Sequence, residues 1–247
     1  MTDQFFLFLA IGFAAQLVDG AIGMAYGLSA TSIMLSMGTP MSVASASVHA
    51  AEVFTTGISG FAHWRLKNVD LALFKRLVIP GMVGGGVGAY VLSSVSGEAI
   101  RPFVSMYLLG MALLIFYKAI RLTAPAGVPQ RHVRALGLVG GFLDAVGGGG
   151  WGPMVTSTLV GRGAEPRLAI GSVNLAEFFV TLTISATFVA TIGLQLWPII
   201  SGMVVGGVLA APLAAYVTRF LPAKWTMMLV ALVIMGLSLR DLMIRFG

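Results

Sequence analysis

Long apolar runs alternate with short polar connections along the whole chain. Punctuated at charges, proline and glycine, the apolar stretches cover about 5–37, 41–64, 73–95, 102–121, 135–160, 168–193, 197–220 and 224–243. They lack the strict alternation of a membrane β-barrel, and runs of roughly 20 residues are what a helix needs to cross a hydrocarbon core of about 30 Å. The pattern predicts an all-α integral membrane bundle of eight segments, four in each half. Residues 122–134 form the longest polar connection, and Pro125 and Pro129 within it disfavour helix continuation. The chain therefore divides into a first transmembrane repeat (1–121), a cytoplasmic linker (122–134) and a second transmembrane repeat (135–247).

The halves resemble one another in detail. Slid against itself by 125 residues, the chain matches without gaps from Asp19 to Thr56, with 13 identities in 38 positions, among them Asp19/Asp144, Gly23/Gly148, Gly27/Gly152, Thr31/Thr156, Ser32/Ser157 and Glu52/Glu177. Small and apolar matches can arise from composition, but two acidic pairs in register are a strong sign of duplication in a chain with only nine carboxylates. At an offset of 121, Gly81, Met82 and Gly85 fall on Gly202, Met203 and Gly206.

The first run is too long for one span, since its 33 residues would make about 50 Å of continuous helix. It reads as two part-helices broken near Gly20–Gly27. If the first segment of each half is re-entrant, the 15 Lys and Arg residues divide 12 inside to 3 outside; if all eight segments span, they divide 10 to 5. The positive-inside rule favours the re-entrant arrangement, which is an inverted repeat.

Composition agrees with a membrane protein, at 57% hydrophobic and 10% charged residues and a mean hydropathy of +0.95. The net charge of +6 sits in the connections between apolar runs, so it reports orientation in the bilayer and gives no reason to expect a nucleic-acid partner. Cysteine is absent, which removes disulfides and thiolate metal sites. The amino terminus lacks a basic n-region, so the first apolar run is expected to be retained.

Chemistry concentrates at two glycine-rich breaks, Asp19–Gly27 and Asp144–Pro153, the second holding four consecutive glycines. Each glycine lowers helix stability by roughly 1 kcal/mol relative to alanine. Broken backbone at membrane depth is tolerated only when buried in protein or lining a cavity. A part-helix starting after each break would turn free N–H groups toward a shared hollow, which suits an anion. Close helix packing through glycine is the structural reading. Tyr26 and Trp151 hold equivalent places in the breaks and are candidates to wall that hollow. Gly23, Gly27, Gly148, Gly149 and Gly152 are candidate substrate-binding residues, with the hydroxyls of Thr31, Ser32, Thr156 and Ser157.

A polar stripe follows each break. Ser45, His49, Glu52 and Thr56 share one helical face, as do Asn174, Glu177, Thr181 and Ser185. Carboxylates inside membrane segments are costly and mark a pathway, a proton relay or a pairing role. Glu52 and Glu177 are candidates for proton coupling or gating, or for holding the broken backbone. Asp19 and Asp144 are candidates for the same role, or for capping the turn that follows them. His49 and its repeat partner Asn174 complete the candidate substrate set.

The duplicated four-segment unit, the Asp144–Pro153 break and the following Ser172-Val-Asn-Leu-Ala-Glu177 resemble the sulfite exporter TauE/SafE family, also called the 4-toluene sulfonate uptake permease family, over nearly the whole chain. The resemblance implies a multi-pass transporter of the bacterial cytoplasmic membrane that moves sulfite, sulfonates or related sulfur-containing anions, with proton coupling. In the first half Gly23-Met-Ala-Tyr-Gly27 replaces the glycine-rich form. The expected partners are a small anion, protons and lipid; assembly into a homo-oligomer is left open. The alternative is a cation or divalent-metal transporter using Asp19, His49, Glu52, Asp144 and Glu177. No nucleophile–base pair, metal triad or cofactor motif suggests an enzyme.

Overall fold

The computed structural model describes the chain except residues 1, 23–25, 96, 122–131, 157, 160–161, 163, 218–222 and 247. Gly23, Ser157 and most of the expected linker lie outside the described residues. Among those described the protein is helical: α1 (Thr2–Ile22), α2 (Tyr26–Ser36), α3 (Met41–Arg65), α4 (Leu71–Ser94), α5 (Gly97–Ile120), α6 (Val133–Gly147), a π-helical turn (Gly152–Thr156), α7 (Pro166–Thr191), α8 (Trp197–Val217) and α9 (Ala223–Phe246). The expected broken first segment of each half is α1 with α2, and α6 with the π-turn. At 11 and 15 residues, α2 and α6 are about 16 and 22 Å long, too short to cross a bilayer alone.

Among the described residues three helical stretches are long and apolar enough to cross a membrane: Leu71–Ser94, Pro102–Ile120 and Leu168–Thr191. The surface is apolar and the interior partly polar, the reverse of a soluble protein: Phe54, Phe61, Ile79, Phe103 and Met106 are exposed, while His49, Glu52, Asp144 and Asn174 are buried. Trp64, Trp197 and Trp225 are exposed at or near helix ends, as interfacial anchors are.

Glycine contacts fix how the helices run. A β-carbon built on Gly88 would sit 2.6 Å from the Phe142 carbonyl oxygen, and one on Gly137 would sit 2.9 Å from that of Leu77. Rising numbers in α4 thus meet rising numbers in α6, so the two are parallel. The same holds for α4 and α7, where Gly81 meets Val180 and Gly85 meets Ile184, and for α1 and α8, where Gly202 meets Phe5 and Gly206 meets Leu9. In contrast, Gly57 meets Phe178 and Gly60 meets Leu175, so α3 and α7 cross antiparallel. Because α6 and α7 both run with α4, the chain between them returns to the end where α6 began.

These seams close backbone to backbone. A β-carbon on Gly141 would press on the Gly81 carbonyl oxygen and lie 2.9 Å from the Gly85 nitrogen, whereas Gly110 has open space around it. Gly141→Val should therefore lower the unfolding midpoint in detergent by the cost of overpacking, about 1–3 kcal/mol or more. Gly110→Ala should leave it unchanged or raise it slightly.

Candidate functional site

The second break is built from three consecutive glycines. Helix α6 ends in a left-handed Gly148 (φ +64°), and Gly149 (φ +126°) and Gly150 (φ +150°) follow in conformations that L side chains rarely adopt. The Asp144 carbonyl oxygen accepts from the Gly148 and Gly149 N–H groups. The Asp144 side chain then turns forward, and its Oδ1 accepts from the Trp151 N–H at 2.9 Å. The first break repeats this device: Asp19 Oδ1 accepts from the Tyr26 N–H at 3.3 Å. Both aspartates therefore cap the part-helix or turn after their break, the structural role open to them from sequence.

The breaks touch. A β-carbon on Gly149 would lie 2.5 Å from Gly27 Cα and from the Leu28 nitrogen, and one on Gly27 would lie 2.8 Å from Glu52 Oε1. The Thr31 hydroxyl crosses between halves to donate to the Gly148 carbonyl. No room for an oxyanion remains between Gly27 and Gly149. The expected hollow between the breaks is closed, and two cavities among the described residues lie away from this contact. One, of about 10 Å³, lies between α2, α5 and α9 and is lined by Ser32, Ser36, Ser105 and Ser238 with three leucines. The other, of about 190 Å³, is lined by residues including Asp70, Arg76 and Glu165. Since α2 leads into the start of α3 and Asp70 follows its end, the cavities lie toward opposite ends of that helix.

Tyr26 and Trp151 are buried and hold the breaks in place. The Tyr26 hydroxyl donates to the Met203 carbonyl at 3.1 Å, and Trp151 Nε1 donates to the Val173 carbonyl at 3.2 Å. Gly81 provides the notch that receives the indole: a β-carbon there would lie 2.6 Å from its Cη2.

Acidic groups gather around this contact. His49, fully buried, lies with Nε2 3.3 Å from Asp144 Oδ2 and 3.9 Å from Glu52 Oε2. Glu52 Oε2 is buried without a hydrogen-bond partner. Half-buried Glu177 lies within electrostatic range of Asp19, Glu52 and Asp144. The repeat partner of His49 is placed differently: Asn174 donates to the Ile170 carbonyl at 3.0 Å and accepts from the Ser59 hydroxyl at 3.3 Å. Thr156 is buried and its Oγ1 has no hydrogen-bond partner; the same is true of Ser32 Oγ. Among the described residues no group of three or more His, Asp or Glu side chains is arranged to hold a metal ion.

Sequence reasoning passed over Tyr107. Its hydroxyl is buried without a partner and lies against the Gly150 backbone, where a β-carbon would strike it. A tyrosine in an apolar run gives no local signal, and its repeat-equivalent position, at the offset of 121, is Met228.

The sequence profile described as Sulfite exporter TauE/SafE matches residues 8–240. The chain belongs to the TauE/SafE family. It is 39% identical over 223 residues to the "Probable membrane transporter protein YtnM" of Bacillus subtilis (strain 168), an alignment covering 86% of this chain and 74% of that protein. No solved structure matches the chain significantly. Family and relative, with the apolar exterior, make this TauE/SafE member a multi-pass membrane transporter.

Proposed function

We propose that this protein is a secondary transporter of the bacterial cytoplasmic (inner) membrane that moves a small sulfur-containing anion, such as sulfite or a sulfonate, together with protons. The two halves form an inverted repeat whose first segments are re-entrant. The antiparallel α3–α7 crossing supports that arrangement, because repeat-equivalent helices would run parallel in a same-sense duplication. The ends of α3 and starts of α4, α6 and α7 then face the cytoplasm, where Arg65, Lys67, Lys75, Arg76 and Arg134 agree with the positive-inside rule.

The observation that carries the reading is the contact of two acid-capped breaks, with cavities toward both ends of α3. That contact supports an occluded state, with the Gly27–Gly149 seam standing between the two ends of the bundle. An anion approaching the carboxylates meets repulsion of about 3 kcal/mol for each uncompensated charge about 6 Å away, at an effective dielectric constant of about 20. Protonation of Glu52, Glu177, Asp19 or Asp144 relieves it. Anion and proton therefore bind cooperatively and move in the same direction.

The test is sulfite, thiosulfate and sulfonate flux in proteoliposomes, with Glu52→Gln and Glu177→Gln measured across pH. Wild-type flux should rise as the loading side is acidified, and the glutamines should flatten that dependence. If transport and its pH dependence survive both changes, the proton role fails.

One observation favours a second reading. The Tyr26 and Trp151 amides that follow the two breaks are engaged by Asp19 and Asp144, and the Gly27 amide is aimed at Glu52, so carboxylates stand where these donors point. A cation transporter would use that chemistry directly. Flux of a monovalent or divalent cation without any sulfur anion would establish it.

A further inference from the structure

His49 Nδ1 faces two oxygens of Ser45: the backbone carbonyl at 2.8 Å and the hydroxyl at 3.2 Å. A carbonyl oxygen only accepts. The Ser45 hydroxyl directs its own hydrogen to the Ala145 carbonyl at 2.6 Å, so toward His49 it also accepts. Two independent contacts therefore fix a hydrogen on Nδ1. In a neutral ring with that tautomer, Nε2 carries a lone pair, and that lone pair points at Asp144 Oδ2, 3.3 Å away. The other oxygen of Asp144 accepts from Trp151, which keeps the carboxylate turned to face the ring. Two acceptors buried face to face repel, and a hydrogen between them turns repulsion into a charge-assisted bond.

We infer that His49 Nε2 and Asp144 Oδ2 together form a binding site for one proton, joining α3 of the first half to α6 of the second. The site deepens the proton-coupled reading above and rests on it only for its role in transport. Glu52 Oε2, without a partner and 3.9 Å from Nε2, is the second group that can take the proton. The ring packs against Phe188 of α7 at 6.5 Å. Among the described residues, the titratable groups within electrostatic range of its two carboxylate neighbours are Glu177 on α7 and Asp19 on α1, with Tyr26 on α2 facing Glu52 and Tyr107 on α5 facing Asp144; α8 contributes no charged residue. The halves differ here, because Asn174 stands at the repeat position of His49 and bonds to Ile170 and Ser59 instead of Asp19. An amide does not titrate, so the asymmetry confines this His–Asp proton site to one of the two breaks.

The duplication supplies the variant: His49→Asn installs the residue that the second half carries. With only His49, His63 and His132 in the chain, nitrogen NMR of histidine-labelled protein in detergent resolves each ring. The wild-type spectrum should show His49 with Nδ1 protonated throughout, and Asp144→Asn should remove the Nε2 proton near neutral pH. A folded protein whose His49 carries hydrogen on Nε2 alone overturns the inference. In proteoliposomes, one obligatory proton makes wild-type flux change about tenfold per pH unit on its limiting limb; His49→Asn should reduce that to about twofold or less. Flux in His49→Asn with the full wild-type pH dependence also overturns it. If wild type carries no sulfur anion yet shows the NMR signature, the proton site stands and the substrate reading falls.

Discussion

Gly149→Ala is expected to abolish transport and to lower the unfolding midpoint more than alanine at any exposed glycine. Its φ of +126° lies where an L residue is strained by about 1–3 kcal/mol. The added carbon would also lie 2.5 Å from Gly27 Cα and the Leu28 nitrogen. Both neighbours are backbone and cannot rotate away, so the breaks must separate, and overpacking adds about 1–3 kcal/mol. Gly38→Ala is the matched comparison: φ is +86°, but nothing lies within 4 Å, so it shows only the backbone part. Thermal unfolding in detergent and flux in proteoliposomes read both. Equal behaviour of the two variants would mean that the breaks do not touch.

Asp144→Ala is expected to be nearly as damaging, and Asp144→Asn separates the reasons. Alanine leaves the buried Trp151 N–H without its 2.9 Å partner and strips His49 of its carboxylate. An unmade hydrogen bond at a buried donor costs about 1–3 kcal/mol, and loss of a cap is of similar size. Asparagine keeps an oxygen for the Trp151 N–H, while its NH₂ can donate to a neutral His49 Nε2, so no proton need sit between them. The expected result is a folded Asn variant with pH-insensitive flux and a destabilised, inactive Ala variant. Identical loss of stability in both would place the contribution of Asp144 in its charge and not in the cap.

Much of this was legible before any contact was known. Helices α3, α4, α5, α7, α8 and α9 begin and end within a few residues of the apolar runs, because insertion into lipid depends on local composition. The breaks were legible because four consecutive glycines weaken a helix wherever they occur, and the repeat because Asp19/Asp144 and Glu52/Glu177 keep their register. Even the capping role of the aspartates was open, being a local bond to a residue seven positions on.

What the chain order could not supply was which surfaces meet. His49 and Asn174 look equivalent in sequence, yet one faces Asp144 and the other bonds within its own helix and to Ser59. Tyr107 gave no signal, since its neighbour Gly150 lies across the bundle. The Tyr26 and Trp151 amides are taken by aspartates of their own breaks, whereas the Gly148 carbonyl meets the Thr31 hydroxyl only where the two halves close. Local sequence determined where helices form and fail, because propensity and lipid solvation act over a few residues. Tertiary packing decided the partners of the buried polar atoms, because residues about a hundred positions apart share no pattern until glycine seams bring their backbones together.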